Sequence, residues 1–360
     1  MEFYLKENII DFLTSRNWEI IREGNKFLYL KNNSLGLPED FELEIPKEDK
    51  NVAFNNYIER IINEIKYINK NENSIEDIKL LFSKKSSIIK FRVYDNENLN
   101  GTIGFENYIE SLEFLKKSLS QTVGFVVTKK HIFADAKTET EAYLKHCRTL
   151  QTEVGSFITK LEVPNEEIYT TVSLINSEKI NNKFLDTINF VSEEIINPKH
   201  KVEITENYLS DYSEFINYEL LYSIKDIYNK TQFNNIEYQL LSNKLFRKVN
   251  TEKVQSRITF FNQYLRELKK MLLKNISVEI VGKVNKLSSL SPLSSNNNEI
   301  FLTTYVNYQK EKIKLILKSD QYLEAIDAHK NEKYIKVKGI ARQGKTYLSI
   351  SEIESFQIIS

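Results

Sequence analysis

Arg148, Glu153 and Ser156 fall within nine residues of one another, in a polar stretch that leads into an alternating apolar run. Their types suit hydrolysis. A guanidinium clamps an anion, a carboxylate exchanges a proton, and a serine at the start of a strand is a nucleophile once a histidine reaches it. Read this way, the chain is a hydrolase or nuclease, a component of a multi-protein system such as phage defence. The plainer reading has Thr152 and Glu153 capping backbone groups while Arg148 pairs with a neighbouring carboxylate. Gly155-Ser156 lacks the flanking pattern of a nucleophile elbow, which favours the plainer reading.

Other reactive residues are scattered. His131, His146, His200 and His329 show no metal-ligand spacing. His146 and Cys147 are adjacent, which on a helix points them to different faces, and a single cysteine is expected to be a buried small apolar residue. Glu42 and Glu44 share one face of a strand, yet Phe41, Leu43 and Ile45 between them mark a core face opposite a wet one. Arg92 and Asp95 flank a strand end without a Glu-x-Lys on a neighbouring strand. No G-x-x-x-x-G-K or G-x-G-x-x-G loop occurs, so no nucleotide cofactor is expected, and no metal.

The charges suggest a different activity. Fifty basic residues balance fifty acidic ones over 360 residues, but they are segregated. Between Asn243 and Lys274 nine basic residues face two acidic ones, and the last 86 residues hold twelve basic against nine acidic. Residues 1–242 therefore carry about −10 and the remainder about +10. A basic segment beside a β-rich module with Tyr305, Tyr308, Lys312 and Lys314 on strands, and Arg342 and Lys345 in a turn, suits phosphate neutralisation and base stacking. Single-stranded nucleic acid, or a protein partner, is the expected ligand of a non-enzymatic binding protein. Two plainer readings stand beside it: solvated lysines on half-buried strands, and docking of acidic and basic ends between copies in a homo-oligomer.

The elements that would hold these residues follow from periodicity. Phe3 to Leu13 has helical spacing; Trp18 to Arg22, Lys26 to Lys31 and Phe41 to Ile45 read as a meander; Asn51 to Lys70 returns to helix. Next come strands at Ile88 to Tyr94 and Thr102 to Phe105, helices at Asn107 to Ser120 and Thr138 to Arg148, and a strand from Gly155 to Val163. A helix from Ser177 to Ile196, N-capped by Ser177, and one from Tyr208 to Tyr228 follow. Ile236 to Leu241 and Gln255 to Phe261 read as paired strands, with a helix from Phe261 to Leu273. From Ser277 onward the order is three strands, a helix at Asp320 to His329, then two strands, which is the element order of an OB barrel. The fold class is α+β: an N-terminal unit (1–85) and a central unit (86–274), then a five-stranded OB-like β-barrel (275–360).

The run Gln151 to Phe157 preceded by Arg148, with Asp320-Gln321-Tyr322-x-x-Ala325-x-x-Ala328-His329, resembles an uncharacterised bacterial family of similar length. That resemblance implies the barrel module and no particular activity. Charges at Glu2, Lys6, Glu7 and Asp11 argue against a signal peptide, and no apolar run approaches the length of a membrane span, so a cytoplasmic protein is expected.

Overall fold

The structure, a computed structural model, describes residues 3–49, 51–68, 74–94, 103–151, 158–198, 202–230, 235–252, 255–306, 309–344 and 347–359. The chain is α+β and divides into two compact units, Met1–Lys130 with Ala134–Tyr264, and Leu265–Ser360 with His131–Phe133.

In the first unit, α1 (Lys6–Thr14) buries Ile9, Phe12 and Leu13. The expected meander forms as β1 (Glu19–Glu23), β2 (Phe27–Lys31) and β3 (Leu43–Pro46), all antiparallel. In α2 (Val52–Ile68), Phe54, Ile58, Ile61, Ile62 and Ile65 make the buried stripe. A helix that periodicity did not reveal, α3 (Ile75–Ser83), starts at a capping box in which Ser74 and Asp77 satisfy each other's backbone N–H groups. Phe12, Ile62 and Phe82 pack in one core with Ile88 and Leu241 of the following sheet.

The sheet contains β4 (Ser86–Tyr94) and is completed by later segments. After β4 come α4 (Phe105–Thr128), α5 (Lys137–Lys145), β5 (Arg148–Leu150) and β6 (Ile158–Pro164). A hairpin of β7 (Glu167–Tyr169) and β8 (Leu174–Asn176) leads into α6 (Ser177–Phe190), then α7 (Glu206–Asp211), α8 (Tyr218–Lys230), β9 (Asn235–Leu241) and β10 (Phe246–Glu252). Strand order is β10-β9-β4-β6-β5, antiparallel throughout. One face is apolar and packs on the helices: Phe91 meets Phe114 of α4 at 5.3 Å between ring centroids, and Tyr238 meets Phe184 of α6 at 6.4 Å.

The opposite face is polar and buried. Lys90 sits across from Lys160 on one side and Gln239 on the other. Asp77 reaches down from α3 between the two lysines. Its Oδ2 accepts from Lys90 Nζ at 2.7 Å and from the Ser74 amide at 3.1 Å, while Oδ1 meets Lys160 Nζ. Burial pushes the Asp77 carboxyl up, but Lys90 and Lys160 outweigh it and hold it below its usual value of 3.8. On β9, Glu237 is gripped by Lys248 Nζ at 2.6 Å and Gln239 Nε2 at 2.5 Å, with Arg92 Nη1 at 3.7 Å. Burial again opposes these partners and again loses, so Glu237 also lies below the usual range.

Several expectations need correction. Gln255 to Phe261 is not a strand: α9 (Gln255–Leu272) covers it, because Ile258, Phe261, Tyr264, Leu265 and Leu268 recur at helical spacing and each is buried. The partner of β9 is β10. Phe105 opens α4 instead of ending a strand, and Tyr208 to Tyr228 is two helices, α7 and α8. The N-cap of α6 is Asn176, whose Oδ1 accepts from the Lys179 amide at 2.8 Å, while Ser177 is the first helical residue.

The second unit is a closed barrel of β11 (Ile276–Ser288), β12 (Asn298–Val306), β13 (Gln309–Leu317), β14 (Tyr334–Gln343) and β15 (Leu348–Ile359), with α10 (Ser319–Lys330) between β13 and β14. The order β11-β12-β13-β15-β14 closes through β11–β14, and only the β13–β15 pairing is parallel among the described residues. This is the OB-like barrel that the element order predicted. Ile300, Leu302, Ile313, Leu315, Ile335, Val337 and Ile350 fill its interior, and Tyr322, Ala325 and Ala328 of α10 join the same core. Gly339 makes the sharp corner possible: a Cβ there would lie 2.3 Å from the Glu352 carbonyl oxygen, where the β14–β15 register shifts.

Candidate nucleic-acid interface

Inward residues of β12 and β13 alternate with a chemically distinct outer set. On β12 the outer residues are Glu299, Phe301, Thr303 and Tyr305; on β13 they include Lys312 and Lys314. Phe301 lies opposite Lys314 and Thr303 opposite Lys312. Across the other edge of β12, Lys286 faces Phe301 and Lys283 faces Thr303. Residues three apart on a regular strand point to opposite faces, yet Lys283 and Lys286 are both exposed, because a bulge between Val284 and Lys286 inserts one residue. Asn285 in that bulge donates from Nδ2 to Thr303 Oγ1 at 2.6 Å.

Register turns these residues into a row. Arg342 pairs with Ser349, Ser349 with Lys314, Lys314 with Phe301, and Phe301 with Lys286. Four pairings at about 4.8 Å spacing carry this cationic and aromatic stripe around the curved outside of the barrel over a contour of ~19 Å. At its centre Tyr347 packs edge-on against Phe301 with ring centroids 5.2 Å apart. Lys286 Nζ lies 5.5 Å from the Phe301 centroid and Lys314 Nζ 6.0 Å from that of Tyr347.

The lysines of the barrel are not equivalent. Lys336 holds Glu279 at 2.5 Å and Lys338 holds Glu354 at 2.9 Å, so β14 presents neutralised pairs. Lys283, Lys286, Lys312 and Arg342 form no ion pair among the described residues. Of the six expected interface residues, Tyr305 is 70% exposed, and Lys312 and Arg342 are also exposed. Lys314 is 17% exposed at its side chain and is engaged by Glu299. Tyr308 and Lys345 lie outside the described residues. Phe301, Tyr347, Lys283 and Lys286 were missed in the sequence; only Phe301 had a signal, sharing the parity of Tyr305 on one strand.

For the hydrolase reading, Arg148 is exposed on β5, in register with Glu162 of β6, whose carboxylate lies 3.9 Å from Lys84 Nζ. Glu153 and Ser156 lie outside the described residues. His146 and His329 each donate from Nδ1 to a backbone carbonyl oxygen, of Ala142 at 2.8 Å and Val284 at 2.9 Å. No group of three or more metal-ligating side chains occurs among the described residues. The Cys147 thiol is directed at the Tyr143 carbonyl oxygen, 3.5 Å away, and burial pushes its pKa up to about 12. In the folded protein Cys147 should therefore react with a disulfide reagent at pH 8 roughly a hundredfold or more slowly than in denaturant, and equal rates would contradict this placement. No helix among the described residues is long and apolar enough to cross a membrane.

No family model matches the chain, and neither a curated protein nor a solved structure matches it.

Proposed function

We propose that the chain is a binding protein whose OB-like barrel takes single-stranded nucleic acid on the outer face of β11, β12 and β13. The observation that carries this reading is the segregation of lysines. Those on β14 are neutralised by carboxylates of the barrel itself, whereas Lys286 lies beside Phe301 of the Phe301–Tyr347 pair, and Lys283 and Lys312 flank Thr303 two residues along, all three without a carboxylate partner among the described residues. Free cations supply affinity for phosphates through counterion release, and aromatic rings supply stacking that tolerates any base. The Asn285 amide between them is already bonded to Thr303 Oγ1, and stacking on an aromatic face tolerates any base, which suits weak sequence preference.

Photocrosslinking tests the location. An oligothymidylate bearing 4-thiothymidine, irradiated with the full chain and mapped by mass spectrometry, should label Phe301, Tyr305 or Tyr347. Labels confined to residues 1–264 would place the binding surface elsewhere and end the proposal.

A further inference from the structure

The loop that joins β11 to β12 is stitched together by its own serines and asparagines. Ser289 Oγ donates to Asn298 Oδ1, and the fully buried Asn298 donates from Nδ2 to the Ser295 carbonyl at 2.7 Å. The Ser295 amide bonds the Ser291 carbonyl at 2.9 Å, and Ser319 Oγ of α10 bonds the Ser295 carbonyl at 2.9 Å. A loop tied in this way has a defined shape, and it uses that shape to hold Leu290 and Leu293 out in water, 104% and 78% exposed. Polar residues would fill both positions without loss to the barrel, since neither leucine contributes to its core. They read as a preformed apolar prong.

Its occupant follows from where the prong is rooted. The loop leaves β11 at Ser288 and enters β12 at Asn298; Ser288 is opposite Glu299, two residues along the same outer face from Phe301. At about 3.3 Å per residue the root of the prong is ~7 Å from the aromatic centre of the stripe. The one outer carboxylate between them, Glu299, is engaged by Lys314, so a phosphate chain running off the stripe meets no unopposed negative charge there. We infer that Leu290 and Leu293 wedge between adjacent bases of a strand held on the lysine and aromatic face, unstacking them beside the row. This rests on the nucleic-acid reading of that face. Apolar side chains driven between base steps are an established way of opening a stack, and leucine is among the residues used.

A wedge and a phosphate contact have different signatures. Replacing both leucines by serine removes apolar burial but releases no counterions, so affinity falls while the salt slope stays constant. The test uses the full chain and an adenine-rich single strand carrying one 2-aminopurine, a base whose fluorescence is quenched by stacking. Wild-type protein should bind and raise that fluorescence. Leu290→Ser with Leu293→Ser should bind at least about tenfold more weakly, with an unchanged salt slope, and should leave the fluorescence quenched. The corresponding double methionine variant should restore both signals. Wild-type binding that the serine variant reproduces in affinity and fluorescence overturns the wedge and leaves the interface standing, as it would if the prong served a protein pocket. No wild-type binding at all overturns both.

Discussion

Asp77→Asn should lower the unfolding free energy by about 3–5 kcal/mol, the cost of breaking a buried ion pair by removing one partner. Asp77 is 1% exposed and stands between two lysine ammonium groups that are buried with it, Lys90 on β4 and Lys160 on β6. Removing the carboxylate charge takes an ion-pair partner from both lysines in a site where their side chains are 3% exposed. Urea unfolding of the variant at pH 7 would measure the loss, and a change below about 1 kcal/mol would mean that the cluster is far better solvated than its burial implies. The pH dependence has a definite sign. Because the folded pKa of Asp77 is depressed, its stabilisation is fully present above the unfolded value near 3.8 and is lost as the pH falls through the folded value. The gap between wild type and variant should hold constant above roughly pH 5 and shrink in acid below pH 4. Replacing Asp77, Lys90 and Lys160 together with Leu, Met and Met should recover much of the single-variant loss, because the trio then carries no charge to desolvate.

The second large effect concerns binding. Lys286→Glu with Lys312→Glu should abolish single-strand binding at physiological salt, whereas Lys286→Ala with Lys312→Ala should weaken it and flatten the salt dependence by about 1.4 log units per decade, some 0.7 for each lost cation. Lys314 is a poorer target than its sequence position suggests. Its ammonium is already engaged by Glu299, so Lys314→Ala should flatten the slope less than either of the other alanine changes. Phe301→Ala should cost about 1–3 kcal/mol of affinity with the slope intact, since stacking releases no counterions. Circular dichroism melts of each variant would separate these losses from unfolding of the barrel.

The barrel was legible in the sequence because its signals are local. Alternation marks each strand, and one amphipathic helix after the third strand separates three strands from two. Tyr305 and Lys312 could be placed on the outer face by parity alone. The stripe could not, because it depends on register: the bulge at Asn285 turns both Lys283 and Lys286 outward, and two register shifts between β14 and β15 decide that Arg342 meets Ser349. The buried face of the first unit was hidden for a related reason. Lys90, Lys160 and Gln239 lie on separate strands, and only α3, 13 residues before Lys90 at Asp77, turns that face into an ionic interior. The misread strand at Gln255 to Phe261 shows the weakness of short apolar windows, where helix and strand periods both fit until the stripe through Leu268 is followed.

The most direct measure of the binding claim is fluorescence anisotropy of a labelled oligothymidylate against the full chain, titrated from 50 to 300 mM potassium chloride. Three or four released counterions, one each for Lys283, Lys286, Lys312 and Arg342, predict that log affinity falls with log salt at a slope of about −2 to −3. A flat dependence, or no binding at the lowest salt, would contradict the account.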